Sequence, residues 1–163
     1  MSMIGNYLRI RPEELSRLRA NPSTIMTLLY PEDNSPHPEG RHLDIDKSWQ
    51  AIQFLLTGDP WQGAPPLSNA VMGGMELGDD DVGYGPARYL EPEQVRELAG
   101  ALEGISGDEL WSRFDANAFA KAEIYPEGLT EDDKEYILSY YRGLVQFVRL
   151  AANGGDALLL YLN

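Results

Sequence analysis

Residues 157–162 read Ala-Leu-Leu-Leu-Tyr-Leu, six apolar or aromatic side chains in succession. An extended chain alternates its side chains between two faces, so a run with no polar phase has no face to offer water. Such a segment is expected to fold as a strand buried on both sides. It follows Gly154-Gly155, which end the longest amphipathic stretch. That stretch opens at Thr130 and Asp133, and Ile137, Tyr140, Tyr141, Leu144, Val148 and Ala151 form its apolar stripe. The other end of the chain offers a second strand. Within Met3–Ile10, Ile4, Leu8 and Ile10 share one phase, interrupted by Asn6 and Arg9.

Met75–Leu77 and Tyr84–Leu90 read as a central hairpin around the acidic turn Gly-Asp-Asp-Asp-Val-Gly. Helices fill the intervals. Pro12 opens one carrying Leu15 and Leu18, and Ser23 caps another carrying Ile25, Met26, Leu28 and Leu29. Trp49, Ile52, Leu55 and Leu56 mark a helix stopped by Gly58. Pro92 opens the next, with Val95, Leu98, Ala99 and Leu102 on one face, and Ser106 with Glu109 forms a capping box before Leu110, Trp111 and Phe114. Residues 31–40 collect turn formers and charges and read as a surface loop. The pattern predicts an α+β fold in a single compact domain over residues 1–163. Its small mixed or antiparallel sheet includes both terminal strands and is covered by several helices. A chain of 163 residues buries enough surface to need no staples.

Charge bounds the partners. Lys and Arg number 13 against 26 Asp and Glu, a net charge of −13. All of the excess lies beyond residue 41, because the first 41 residues hold five basic and five acidic side chains. That balance argues against nucleic acid and against an anionic membrane surface, which reward cationic patches. A basic protein partner is the matching expectation. The chain has no cysteine, hence no disulfide and no thiol chemistry. It shows no signal-peptide pattern at its start, and a cytoplasmic location is expected.

Several kinds of site are not encoded. The chain lacks a phosphate-binding loop, a dinucleotide fingerprint, a zinc-protease motif and a nucleophile elbow. No cofactor is expected. Asp79, Asp80 and Asp81 invite a calcium reading, but Tyr84 and Leu90 stand where an EF-hand needs Gly and Glu, so the segment reads as a solvated turn. His37 and His42 match no zinc spacing and read as exposed loop histidines, and no metal site is expected.

The segment His42–Gln50 (HLDIDKSWQ) stands out. Leu43 and Ile45 alternate with Asp44 and Asp46, so an extended segment sets both carboxylates on one face, with Lys47 and Trp49 next to them. Two close carboxylates can split their pKa values into an acid and a base. Asp46 also stands where the Trp49 helix needs an N-cap, and that reading is preferred for it. Arg88, between tyrosines in Tyr-Gly-Pro-Ala-Arg-Tyr-Leu, can grip an anion with its planar fork or pair internally, with Asp44 the expected partner. Tyr125, ahead of Pro126, is the third candidate. The candidate ligand-binding set is therefore Asp44, Asp46, Lys47, Trp49, Arg88 and Tyr125.

The opening Met-Ile-Gly-Asn-Tyr-Leu-Arg-Ile, residues 43–58, Pro66–Gly74, Tyr84–Leu90, Glu123–Pro126 and the closing Gly-Gly-Asp-Ala-Leu-Leu-Leu-Tyr-Leu-Asn run in one order over nearly the whole chain. In these the sequence resembles the YfbM family, a bacterial group defined as a domain of unknown function. The resemblance implies a compact α+β domain and carries no activity or catalytic residues. Members of that family often have His where this chain has Gln53, so a mechanism that used that imidazole as base would not operate here. Two function classes remain. One is a non-catalytic binding protein, of regulatory or immunity type, with an acidic surface for a basic protein. The other is a small-ligand binder or hydrolase-like enzyme with an Asp/Arg/Tyr pocket. Convergence of Asp44, Arg88 and Tyr125 on one open cavity would favour the second.

Overall fold

In a computed structural model that describes all of residues 1–163, the apolar C-terminal run lies in the middle of the sheet. The strands are β1 (Gly5–Ile10), β2 (His42–Asp44), β3 (Met75–Asp81), β4 (Pro86–Leu90) and β5 (Ala157–Leu162). Their order is β2-β1-β5-β4-β3, and every pairing is antiparallel. All six residues of β5 are buried. Both terminal strands sit side by side, as the hydrophobic patterns predict. Beyond the strands, Ile4 and Asn163 exchange two backbone hydrogen bonds of 2.8 and 3.1 Å.

Residues directly opposite one another in antiparallel strands project to the same face. The register places Tyr7, Leu43, Leu160 and Arg88 on one face, and Asn6, Asp44 and Tyr161 on the other. The first face is covered by α3 (Trp49–Thr57), α4 (Pro92–Glu103) and α7 (Lys134–Asn153), with the shorter α5 (Gly107–Trp111) and α6 (Ala116–Lys121) behind them. Tyr7, Leu158, Leu160 and Leu162 meet Trp49, Ile52, Leu98, Leu144 and Val148 there. The second face is covered by α1 (Pro12–Ala20) and α2 (Ile25–Leu29), which set Leu15, Leu18, Ile25 and Leu29 on Leu8, Ile10 and Leu159. The β5 run has no polar phase because helices lie on both sides of it. No helix is long and apolar enough to cross a membrane.

Local chemistry explains most boundaries. Gly58 ends α3 in the left-handed conformation at φ +80°, and Ser106 Oγ accepts the Glu109 N–H at the start of α5. Thr130 and Asp133 form their reciprocal box on a 3₁₀ turn that leads into α7. Arg9, the charge that interrupts the first strand, pairs with buried Asp156 at 2.9 Å and so ties β1 to the start of β5. Two expectations are corrected. Ser23 does not cap α2. It lies inside a 3₁₀ turn, Pro22–Thr24, and donates to Asn21 Oδ1. Asp79–Asp81 belong to the end of β3 rather than to a turn, and Asp81 Oδ1 accepts the N–H groups of Gly83 and Gly85 to fold the reversal itself. The helix α6, capped by Asp115, was not anticipated.

Candidate functional site

The helices α1 and α2 cover only part of their face. Past Leu29 the chain leaves the sheet as the 30–40 loop and returns as β2, so the end of the face holding Asn6, Asp44 and Tyr161 is roofed by loop alone. Between loop and sheet lies a cleft of about 610 Å³, a volume suited to a small molecule. Four of its sixteen lining residues are hydrophobic. Its polar wall includes Asn6, His37, His42, Asp44, Tyr161 and Asn163.

A hydrogen-bond chain sets the chemistry of that wall. Asn6 Nδ2 donates to Ile4 O at 3.2 Å and to Asn163 Oδ1 at 2.8 Å, which leaves Asn6 Oδ1 as an acceptor. His42 Nε2 lies 2.8 Å from Asn6 Oδ1 and must therefore carry the proton. Its Nδ1 is left with a lone pair and no protein partner. Asn163 Nδ2 donates onward to the Tyr30 hydroxyl at 3.2 Å. Burial lowers the pKa of His42, the neighbouring His37 lowers it further, and Asp44 opposes both. The two imidazole rings are 5.3 Å apart. Burial raises the pKa of the Tyr161 hydroxyl, helped by Tyr30 and Asp44, so it remains a donor.

The cleft is acidic. Asp44 and Glu39 line it, and no Lys or Arg does. Ser35 is its one aliphatic hydroxyl and makes no hydrogen bond to either imidazole, so no nucleophile stands against a base. No group of three His, Asp or Glu side chains is arranged to hold a metal ion.

Among the candidates singled out by sequence, only Asp44 lines this cleft. Asp44 and Asp46 do not share an extended face, because β2 ends at Asp44 and the backbone of Asp46 turns left-handed at φ +50°. Asp46 does not cap α3 either. Its Oδ2 accepts the Tyr136 hydroxyl at 2.9 Å, while Asp44 Oδ1 takes the Asp46 N–H at 2.6 Å. The turn is thus held by Asp44, the residue expected to pair with Arg88. Lys47 is half-buried in the following 3₁₀ turn and forms no ion pair. Trp49 is fully buried, donates Nε1–H to Met3 O at 3.0 Å, and lies between Trp61 and Tyr125.

The expected Asp44–Arg88 pair is absent. The two residues occupy opposite faces, on strands separated by β1 and β5. Arg88 Nη1 instead donates to Val71 O and Gly73 O, both at 2.9 Å, stapling β4 to the 67–73 segment. Burial lowers its pKa, against the opposing pull of Tyr7 and Glu76. Tyr125 accepts the Met3 N–H at 3.1 Å and gives its own N–H to Gln50 Oε1 at 2.8 Å. Asp44, Arg88 and Tyr125 therefore do not converge. Gln53 is buried in α3, where its amide donates to Gln62 O at 2.9 Å and holds the 59–62 loop. It lies beneath the covered face of the sheet, away from the cleft.

Sequence reasoning passed over the wall of the cleft. His42 is exposed, as the sequence predicts, but it belongs to strand β2 rather than to the loop and lines the cleft; His37, in the loop, is partly buried. A signal was present in Asn6, a polar residue in the buried phase of Ile4, Leu8 and Ile10. It marks where that face stops being core.

Residues 1–161 match the family described as Domain of unknown function (DUF1877). The chain is 32% identical to Protein YfbM of Escherichia coli (strain K12), over 90% of this chain and 93% of that one. It superposes on the crystal structure of YfbM from Escherichia coli, a protein of unknown function, with a TM-score of 0.74 and 26% identity. That match covers 98% of this chain and 99% of the other.

Proposed function

The chain belongs to the DUF1877 family, and since membership brings a fold without an activity, we propose from the cleft itself that this is a non-catalytic binding protein taking a small basic ligand between β2 and the 30–40 loop. One observation carries the reading. A cleft of small-molecule size is lined by two carboxylates, an imidazole with a free lone pair and two tyrosines, and by no cation. Each of these groups attracts an ammonium or guanidinium: Asp44 by charge, His42 Nδ1 as an acceptor, and Tyr30 and Tyr161 through hydroxyl and ring. A phosphate or carboxylate ligand would meet two carboxylates and no Lys or Arg there. The net charge of −13 steers cations toward the molecule. The reading extends to a bacterial protein, supported by its Escherichia coli relative, and we propose a cytoplasmic location for it.

The test is a thermal-shift and NMR titration of the full chain with small primary amines and guanidines, against matched carboxylates and inorganic phosphate. Amines are expected to raise the melting temperature and to shift the amides of Asn6, His42 and Asn163. Asp44→Asn keeps an acceptor for the Asp46 N–H and removes the charge, so it should weaken binding without unfolding the turn. Equal binding of carboxylates, or an unchanged affinity in both Asp44→Asn and His42→Ala, would overturn the reading.

A further inference from the structure

A second cavity lies on the far side of the molecule from the cleft. It is formed by α6 and the chain that leaves it, and its volume is about 360 Å³. Phe119, Ile124 and Leu129 make an apolar floor, the first two of them buried. Glu123 and Glu127 line the same cavity and are exposed. Glu123 holds φ at +54°, a conformation uncommon for a residue with a side chain. That turn sends Ile124 into the core and leaves the Glu123 carboxylate outside.

Both carboxylates are uncommitted. Between Asp115 and Glu135 the chain carries seven acidic and two basic side chains. Of the acids, Asp115 and Asp133 accept backbone N–H groups, Glu131 accepts the Trp111 indole at 2.8 Å, and Glu135 faces Arg142 at 3.7 Å. Glu123 and Glu127 form no ion pair and accept no side-chain hydrogen bond, although they stand over the one part of this surface that has an apolar recess beneath it.

An apolar recess below two free carboxylates matches a long aliphatic stem that ends in a cation. The geometry points to a docking site for a basic protein partner, whose arginine side chain inserts its stem between Phe119, Ile124 and Leu129 and sets its charge between Glu123 and Glu127. A protein is the occupant rather than a free amine on charge complementarity: the seven acidic side chains of residues 115–135 outnumber the two basic ones, and Glu131 and Asp132, outside the cavity lining, are exposed as well. Further basic residues of a partner would meet them. The Glu-Ile-Tyr-Pro-Glu-Gly segment thus has a role separate from the cleft: Tyr125 anchors it to Met3 and Gln50, and its two glutamates face outward.

The test is an NMR titration of the isotopically labelled full chain with the peptide acetyl-Lys-Gly-Arg-Gly-Lys-amide. Controls are the same peptide with norleucine in place of arginine, and acetyl-arginine-amide alone. The basic peptide is expected to shift the amides of Phe119, Ile124 and Gly128 and to bind about tenfold more tightly than acetyl-arginine-amide at low salt. Glu123→Gln with Glu127→Gln should weaken it about fivefold or more, which two solvated ion pairs supply. Ala120→Trp, a change on an exposed helix position, should block the recess while leaving the fold intact. Equal binding of the norleucine peptide, equal binding of acetyl-arginine-amide, or an affinity unchanged in both variants would each overturn the assignment. Because the affected amides differ from those of Asn6, His42 and Asn163, failure here leaves the reading of the cleft untouched, and the reverse also holds.

Discussion

Asp46 is a strained residue held by its neighbours. A non-glycine residue at φ +50° sits in a sparsely used region, which Asn tolerates better than most. Asp46→Asn should therefore be nearly neutral, while Asp46→Ala should cost about 1–2 kcal/mol through the lost bond to Tyr136 and the left-handed backbone. Tyr136→Phe should cost about 1 kcal/mol by chemical denaturation, and less in the Asp46→Ala background. An N-cap role would leave Tyr136→Phe silent. His42 makes the pH-dependent prediction. Its pKa in the folded protein lies below the ordinary 6.5, chiefly from burial and then from His37. As pH falls through 6.5, the unfolded chain takes up this proton before the folded one does. Stability is then lost on acidification and is fully present above that value. His42→Gln should show a shallower fall in melting temperature between pH 7 and pH 5 than the wild type, and identical slopes would show that the imidazole is not perturbed.

At the scale of elements, β5 is the member on which both halves of the sheet depend, since β1 pairs with one of its edges and β4 with the other. Removing residues 157–163 separates two pairs of strands and exposes both hydrophobic layers. Each large side chain lost from such a core forfeits roughly 1.5–3 kcal/mol, against a total stability of about 5–15 kcal/mol. The truncated chain is expected to be insoluble or unfolded by far-ultraviolet circular dichroism. A native spectrum would contradict the central position of β5. The strand order also forecasts independence between Asp44 and Arg88. They are three strand spacings apart, about 14 Å, and on opposite faces. A double-mutant cycle on Asp44→Ala and Arg88→Met should give a coupling below about 0.5 kcal/mol. A larger value would mean that the sheet transmits between its faces.

For the whole molecule, charge dominates. Six ion pairs within 4.0 Å leave most of the carboxylates without a cationic partner. Self-repulsion of this kind weakens the compact state and is screened by salt. Raising sodium chloride from about 10 to about 200 mM, where the Debye length shrinks from roughly 30 Å to below 10 Å, should raise the melting temperature. A fall would show that the few ion pairs outweigh the general repulsion. The same salt should weaken cation binding at the cleft and at the α6 cavity, because both rely on attraction to an acidic surface.

Hydrophobic phase is a local property, and the sequence by itself determined whatever local phase controls. The unbroken run in β5 required cover on both faces, the stripe of α7 named the side that packs, and Pro12, Pro92, Gly58, Ser106 and Thr130 marked element ends through their own backbone preferences and hydrogen bonds. Only the tertiary structure decided which polar groups meet, because that depends on register and strand order, which no spacing along the chain encodes. Asp44 and Arg88 each border apolar residues and look alike in sequence. One slip of phase sends Asp44 to the open end of one face and Arg88 toward the core side of the other. Asn6, His42, Tyr161 and Asn163 come from three distant parts of the chain, and only the pairing of β1 with both β2 and β5 brings them to one wall.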